Sequence, residues 1–208
     1  MKPVLWLFGL PCSGKTTLAG ALRGHFQAAG QSVVLLDGDE LRSGLCADLG
    51  FSDEDRCENL RRAANIALLL ARQGHRVICA FVTPKEHHRN LVRQVLGTNV
   101  RLIHIDCPLE VCIKRDVKGL YAKAANSQMA GMTGLQDTFE PPLHADFVIQ
   151  TSRVKIKEAL SSLQAWLTSP LKDALDPPAK ATTLRAPRPA ESSLMRLVWS
   201  RGLQHHES

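Results

Sequence analysis

The sequence predicts an α/β protein: a three-layer α/β/α arrangement with a mostly parallel five-stranded sheet and a lid loop. Three observations predict it. Short apolar runs alternate along the chain with longer segments of helical period, the order that βαβ units produce. The runs lack polar alternation, as strands covered on both faces do. The first of them, Val4-Leu5-Trp6-Leu7-Phe8, leads directly into Gly9-Leu10-Pro11-Cys12-Ser13-Gly14-Lys15-Thr16, a full match to G-x-x-x-x-G-K-[ST], and the helical pattern of Thr17-Leu18-Ala19 follows. Strand, glycine loop and helix in that order are the context of a phosphate-binding loop, so the expected fold is of the P-loop NTPase type.

The remaining elements follow in order. Ser32-Val33-Val34-Leu35-Leu36 reads as a second strand, ending at Asp37-Gly38-Asp39, where carboxylates at a strand's C-terminal end face the crevice in which open α/β sheets bind ligands. Ser52 is a candidate N-cap, with Asp53, Glu54 and Asp55 in a first turn that favours negative charge, and the helix should run to about Gly74. Within it, Arg56 and Asn59 are three apart and share a face. His75–Val82 is a third strand, stopped by Thr83-Pro84. A helix is expected over Lys85–Leu96, a fourth strand over Val100–Ile105 and a short helix over Leu109–Arg115. From Asp116 to Glu140 the chain reads as loop, a length typical of active-site lids. A fifth strand at Phe147–Ile149 and an amphipathic helix at about Val154–Leu167 complete a domain over residues 1–169. Residues 170–208, which open on the proline-rich stretch Pro170–Pro189 with no core pattern, are expected to be a disordered C-terminal tail.

With 208 residues, 44% of them hydrophobic, the chain suits one globular domain with a substantial core. No apolar run approaches membrane-spanning length, and the first strand meets the glycine loop too soon to be a signal peptide, so an intracellular, cytoplasmic protein is expected. A net charge of +6 is accounted for by binding anionic nucleotides, and no basic stretch is interleaved with aromatics. Neither nucleic acid nor membrane is therefore expected as a partner, and a homodimer is left open. None of the six cysteines has a C-x-x-C neighbour or a matching histidine spacing, so neither zinc nor disulfides are expected and most read as small core fillers.

The glycine loop carries its own chemistry. Gly9 and Gly14 let the backbone aim successive N–H groups at phosphate oxygens, Lys15 neutralises the β/γ charge, and Thr16 offers a hydroxyl to Mg²⁺. The donor nucleotide is thus MgATP, held by Gly9, Pro11, Cys12, Ser13, Gly14, Lys15, Thr16 and Thr17.

Several further blocks, in order along residues 3–168, point to the receiver of the phosphate: Leu36-Asp37-Gly38-Asp39 with Arg42, Asp48-Leu49-Gly50-Phe51-Ser52, Asp55-Arg56 with Glu58-Asn59 and Arg61-Arg62, Ala80–Pro84, Pro108–Cys112, Arg115-Asp116 with Lys118–Tyr121, Thr133-Gly134 and Phe139-Glu140. Together they resemble the adenylylsulfate kinases, which phosphorylate the 3′-hydroxyl of adenosine 5′-phosphosulfate with MgATP. The resemblance implies that Asp39 sits near the metal and the acceptor hydroxyl, and that Arg42 and Arg56 hold the phosphosulfate group. It gives Asn59 a hydrogen bond to the acceptor, Phe51 a stacking position on its purine, and Lys118 a lid contact with it. Arg115 falls beside the ATP base or phosphates, while Val82, Thr83, Leu120 and Met132 line the acceptor side. Three departures stand out. Met132 replaces a second Phe that closes the purine sandwich, Ala125 and Ala130 stand where Arg and Lys are common, and Thr83 replaces a Ser. The first two leave open the same chemistry on another nucleotide anhydride, for instance a cytidine-based one. A nucleotide-binding regulatory protein without turnover is the third reading.

Overall fold

The computed structural model describes residues 1–126 and 131–169. The chain divides into a unit of Met1–Leu167 and one beginning at Thr168. Apart from Thr168 and Ser169 the second unit lies outside the described residues, as do the expected disordered stretch and Ala130, and the architecture below is that of the first.

Strands β1 (Val4–Phe8), β2 (Val33–Asp37), β3 (Arg76–Phe81), β4 (Val100–Asp106) and β5 (Phe147–Gln150) pair in the order β2-β3-β1-β4-β5. Every neighbouring pair is parallel, so the sheet expected to be mostly parallel is parallel throughout. β1 lies at its centre, and all five of its side chains are fully buried. Its alternation feeds two cores. Val4, Trp6 and Phe8 pack with Leu60, Ala63, Ala64 and Ala67 of helix α3 (Asp53–Arg72) and with Val92 and Leu96 of α4 (Glu86–Leu96). On the opposite face Leu5 and Leu7 meet Leu18, Leu22 and Phe26 of α1 (Lys15–Ala28) and Leu163 of α7 (Ile156–Thr168). Each fully buried large aliphatic contributes about 1.5–3 kcal/mol, so the two layers hold β1, and the loop after it, rigidly in place.

α3 starts as its sequence suggests, with the Ser52 hydroxyl accepting from the Asp55 N–H at 3.1 Å and three carboxylates in the first turn. The alanines on its inner face let it lie close to the sheet. Two helices were not expected. α2 (Gly38–Arg42) is only five residues long and forms because the Asp37 carboxylate, at the end of β2, accepts the Asp39 N–H at 3.0 Å. After α5 (Leu109–Arg115), the stretch from Asp116 read as loop contains α6 (Leu120–Ala125). There the Asp116 carboxylate accepts the N–H groups of Tyr121 and Ala122 at 3.1 and 3.0 Å, and Tyr121 and Ala124 bury against Cys107, Cys112 and Met132. A side-chain cap and one apolar face suffice for this helix, and six residues are too few to register as a period. Cys46, Cys79, Cys107 and Cys112 are buried, as core fillers should be, whereas Cys12 and Cys57 are partly exposed.

Candidate active site

The C-terminal ends of β1, β2 and β3 open into a cavity of about 680 Å³, within the range of nucleotide-sized sites. Pro11, Cys12, Gly14, Lys15, Thr16 and Thr17 line it from the glycine loop and the start of α1. Asp39 and Arg42 reach it from α2, Phe51, Arg56 and Asn59 from the start of α3, and Val82 and Thr83 from the end of β3. Arg115, Lys118, Leu120 and Met132 close the remaining side. Of the residues drawn from the sequence only Gly9 and Ser13 do not line this cavity, and both shape the loop from beneath. Gly9 donates its N–H to the Val82 carbonyl at 3.2 Å. Its φ of +154° and the Ile105 carbonyl, 2.4 Å from where a Cβ would stand, admit no side chain. Ser13 is fully buried, and its carbonyl accepts from Thr151 Oγ1 at 2.6 Å.

Lys15 is the one cation inside the loop. Its ammonium donates to the Leu10 carbonyl at 2.6 Å and approaches Ser13 Oγ at 3.5 Å. Burial lowers its pKa to about 8, against the opposing pull of Cys112, Asp39 and Asp37. A lysine so poorly solvated gains more from an incoming polyphosphate than a surface lysine does. Thr16 Oγ1 donates to Asp37 Oδ2 at 2.8 Å, and Asp39 stands two residues further on. A hydroxyl bonded to one carboxylate, with a second carboxylate two residues along the chain, is an oxygen donor set, the kind that suits Mg²⁺.

The acceptor side is built from arginines and one aromatic. Arg42 donates to the Gly50 carbonyl at 2.7 Å and lies 4.4 Å over the Phe51 ring. Arg56 donates to the carbonyls of Gly131 at 2.6 Å and Phe51 at 3.2 Å, and pairs with Asp137 at 3.6 Å. Burial lowers the pKa of both guanidiniums from their ordinary value, for Arg42 with Arg56 as a second cause; an anion between them would relieve that cost. Asn59 is buried, and its Oδ1 has no protein partner. Thr83 has a φ of +43°, costly for a β-branched residue. Trp6 Nε1 holds it by donating to Thr83 Oγ1 at 3.0 Å, and the buried Arg89 donates to its carbonyl at 3.2 Å. Lys118 pairs with Asp39, which raises the lysine's pKa. Met132 lines the cavity from within the cluster that holds α6, and Ala125 is exposed at the end of that helix.

Arg115 is fixed more firmly than its sequence suggests, donating to the Thr151 carbonyl at 2.7 Å and the Ser13 carbonyl at 3.4 Å. Three contributing residues escaped sequence reasoning. The sequence places Asp37 at its strand end but points to Asp39 for the role. Thr151 carries no signal, since it is a lone hydroxyl after β5. Tyr121 donates its hydroxyl to the Pro11 carbonyl at 3.1 Å, tying α6 to the glycine loop, and a buried tyrosine in a segment read as loop was the clue available.

A parallel sheet with a glycine loop after its central strand, one buried lysine in that loop and an arginine-lined second half of the same cavity define a P-loop kinase of small molecules. The sequence model described as adenylylsulphate kinase matches residues 1–150. The adenylyl-sulfate kinase of Paraburkholderia xenovorans is 47% identical over 166 residues, 80% of this chain and 93% of that protein. That of Clostridium acetobutylicum is 41% identical over 79% of this chain and 82% of its own length. Among solved structures, the APS kinase CysC of Mycobacterium tuberculosis in complex with AMPPNP and APS superposes with a TM-score of 0.78 at 38% identity, covering 81% of this chain and 98% of that one. The chain belongs to the adenylylsulphate kinase family and is an ATP-dependent kinase. Among the described residues no helix is long and apolar enough to cross a membrane.

Proposed function

We propose that this chain transfers the γ-phosphoryl group of MgATP to the 3′-hydroxyl of adenosine 5′-phosphosulfate, giving 3′-phosphoadenosine 5′-phosphosulfate and ADP. The observation that carries the reading is that one cavity joins the Lys15 loop to the Arg42, Phe51, Arg56 and Asn59 wall, so donor and acceptor share a single space. Lys15 and the loop N–H groups bind the donor phosphates, with Arg115 bracing the loop. Thr16 and Asp39, with Asp37 behind Thr16, would hold Mg²⁺, which when bound neutralises charge on the phosphate oxygens. Asp39 orients the acceptor hydroxyl and accepts its proton, and Lys118, its present partner, is freed to meet the acceptor. Arg42 and Arg56 bind the phosphosulfate oxygens, for which their planar forks are shaped. Asn59 Oδ1 accepts a hydrogen bond from the nucleoside, satisfying its unpaired buried atom. Phe51, 44% exposed, presents a face for the purine, and Met132 gives the opposite side a softer wall than an aromatic.

The test is ADP release from the purified chain with a panel of nucleotide anhydrides that differ in base and terminal anion. Adenosine 5′-phosphosulfate should support turnover at least tenfold more efficiently than its cytidine counterpart. Turnover with the cytidine compound and none with adenosine 5′-phosphosulfate would reverse the assignment.

A further inference from the structure

Away from the cavity, Asp53 and Cys57, one turn apart on α3, meet His87 and His88 at the start of α4. One ligating atom from each of the four lies within 4.8 Å of the other three. Asp53 Oδ2 is 2.9 Å from His87 Nε2, and Asp53 Oδ1 is 3.4 Å from His88 Nε2. We propose that these four side chains form a second metal site, for a borderline divalent transition ion such as Zn²⁺, separate from the oxygen-lined position beside Thr16.

The donor set argues for the ion. Two imidazoles, a thiolate and a carboxylate suit Zn²⁺ and suit Mg²⁺ poorly, which takes oxygen ligands. Tetrahedral bonds of 2.0–2.3 Å give ligand-to-ligand edges of roughly 3.3–3.8 Å, so the cluster needs to close by about 1 Å at its widest edge. An independent observation comes from His88. Its side chain is fully buried, yet Nε2 has no hydrogen-bond partner, and that atom is the one directed at Asp53. A buried imidazole nitrogen left so is costly, and a metal would satisfy it.

Binding rearranges few bonds. The Cys57 thiol loses its proton to solvent, and His88 moves its remaining proton from Nε2 to Nδ1, giving up a long 3.4 Å contact with the Lys85 N–H. Lys85, now 2.7 Å from Asp53, shifts toward Asp137, already 3.8 Å away. The ion then clamps the first turn of α3 to that of α4.

The full chain, stripped with chelator and titrated with Co²⁺, tests this. One equivalent should bring up a thiolate-to-cobalt charge-transfer band with the intense visible bands of four-coordinate cobalt. Zn²⁺ should abolish both, and excess Mg²⁺ should leave them. Cys57→Ser should remove the charge-transfer band, and both Cys57→Ser and His87→Ala, each removing a direct ligand, should weaken Zn²⁺ binding by at least the roughly tenfold that losing an outer-shell partner costs. Neither side chain lines the active-site cavity, so unchanged kinase activity certifies that the variants fold. Cobalt that stays six-coordinate without a thiolate band, or a band that survives in Cys57→Ser, would overturn the proposal.

Discussion

A buried lysine sets how the loop responds to pH. Lys15 ionises near pH 8 because burial disfavours its charge. The free enzyme therefore loses the cation that ATP needs as pH rises through that value. The ATP kcat/KM should fall about tenfold per pH unit above 8, while kcat at saturating ATP should lack that limb, because bound polyphosphate restores the lysine's proton. Stability moves the other way. Between pH 8 and the ordinary lysine value of 10.5 the unfolded chain binds a proton that the folded chain does not, so folding stability rises with pH over that window. Relative to Lys15→Met, wild type should gain at most about 3 kcal/mol between pH 7.5 and 10.5, read from urea melts. A difference between the two proteins that stays constant over the window would mean that Lys15 has an ordinary pKa.

Among elements, the connection from α2 to α3 carries Phe51 and is tied down by Arg62, Arg42 and Arg56. Arg62 grips both Asp48 carboxylate oxygens at 2.6 and 2.8 Å, the Leu45 carbonyl at 3.0 Å and Glu58 at 2.9 Å. Arg61 first, and Arg62 second, bring the Glu58 pKa to about 2. With Arg62→Gln the segment should loosen, and Arg42, which rests on the Leu49 and Gly50 carbonyls, should loosen with it. The expected result is a several-fold higher KM for adenosine 5′-phosphosulfate, an ATP KM within about twofold, and faster amide exchange over residues 45–51. An unchanged acceptor KM would detach this tether from the site. The strands were legible because burial on both faces leaves an unbroken apolar run, and α3 because a cap, an acidic first turn and a long apolar stripe agree. α2 and α6 were not, since each depends on one aspartate that a short window cannot weigh. Cys57 illustrates the same limit in three dimensions. No histidine stands at ligand spacing in the sequence, yet packing α3 on α4 brings two within reach.

At the scale of the molecule, both cores and the whole cavity lie within Met1–Leu167. The last buried core residue among those described is Leu163, and the last residue lining the cavity is Ala159. That the proposed site residues gather in one cavity was legible across this unit, on the donor side from the glycine-loop motif and the β2 end, on the acceptor side from the family resemblance. Contacts that only folding creates, such as Thr151 with Ser13 and Tyr121 with Pro11, were not. Both apolar layers around β1 are built, among the described residues, from side chains no later than Leu167. A chain ending at residue 169 should therefore fold on its own, retain kcat and both KM values within about twofold, and melt within a few degrees of the full chain. By contrast Leu163→Ala, which empties the α7 contact with the sheet, should cost about 2–5 kcal/mol. If the shortened chain proved as unstable as Leu163→Ala, residues beyond 169 would have to be part of the α7 layer, and the kinase domain would extend past that boundary.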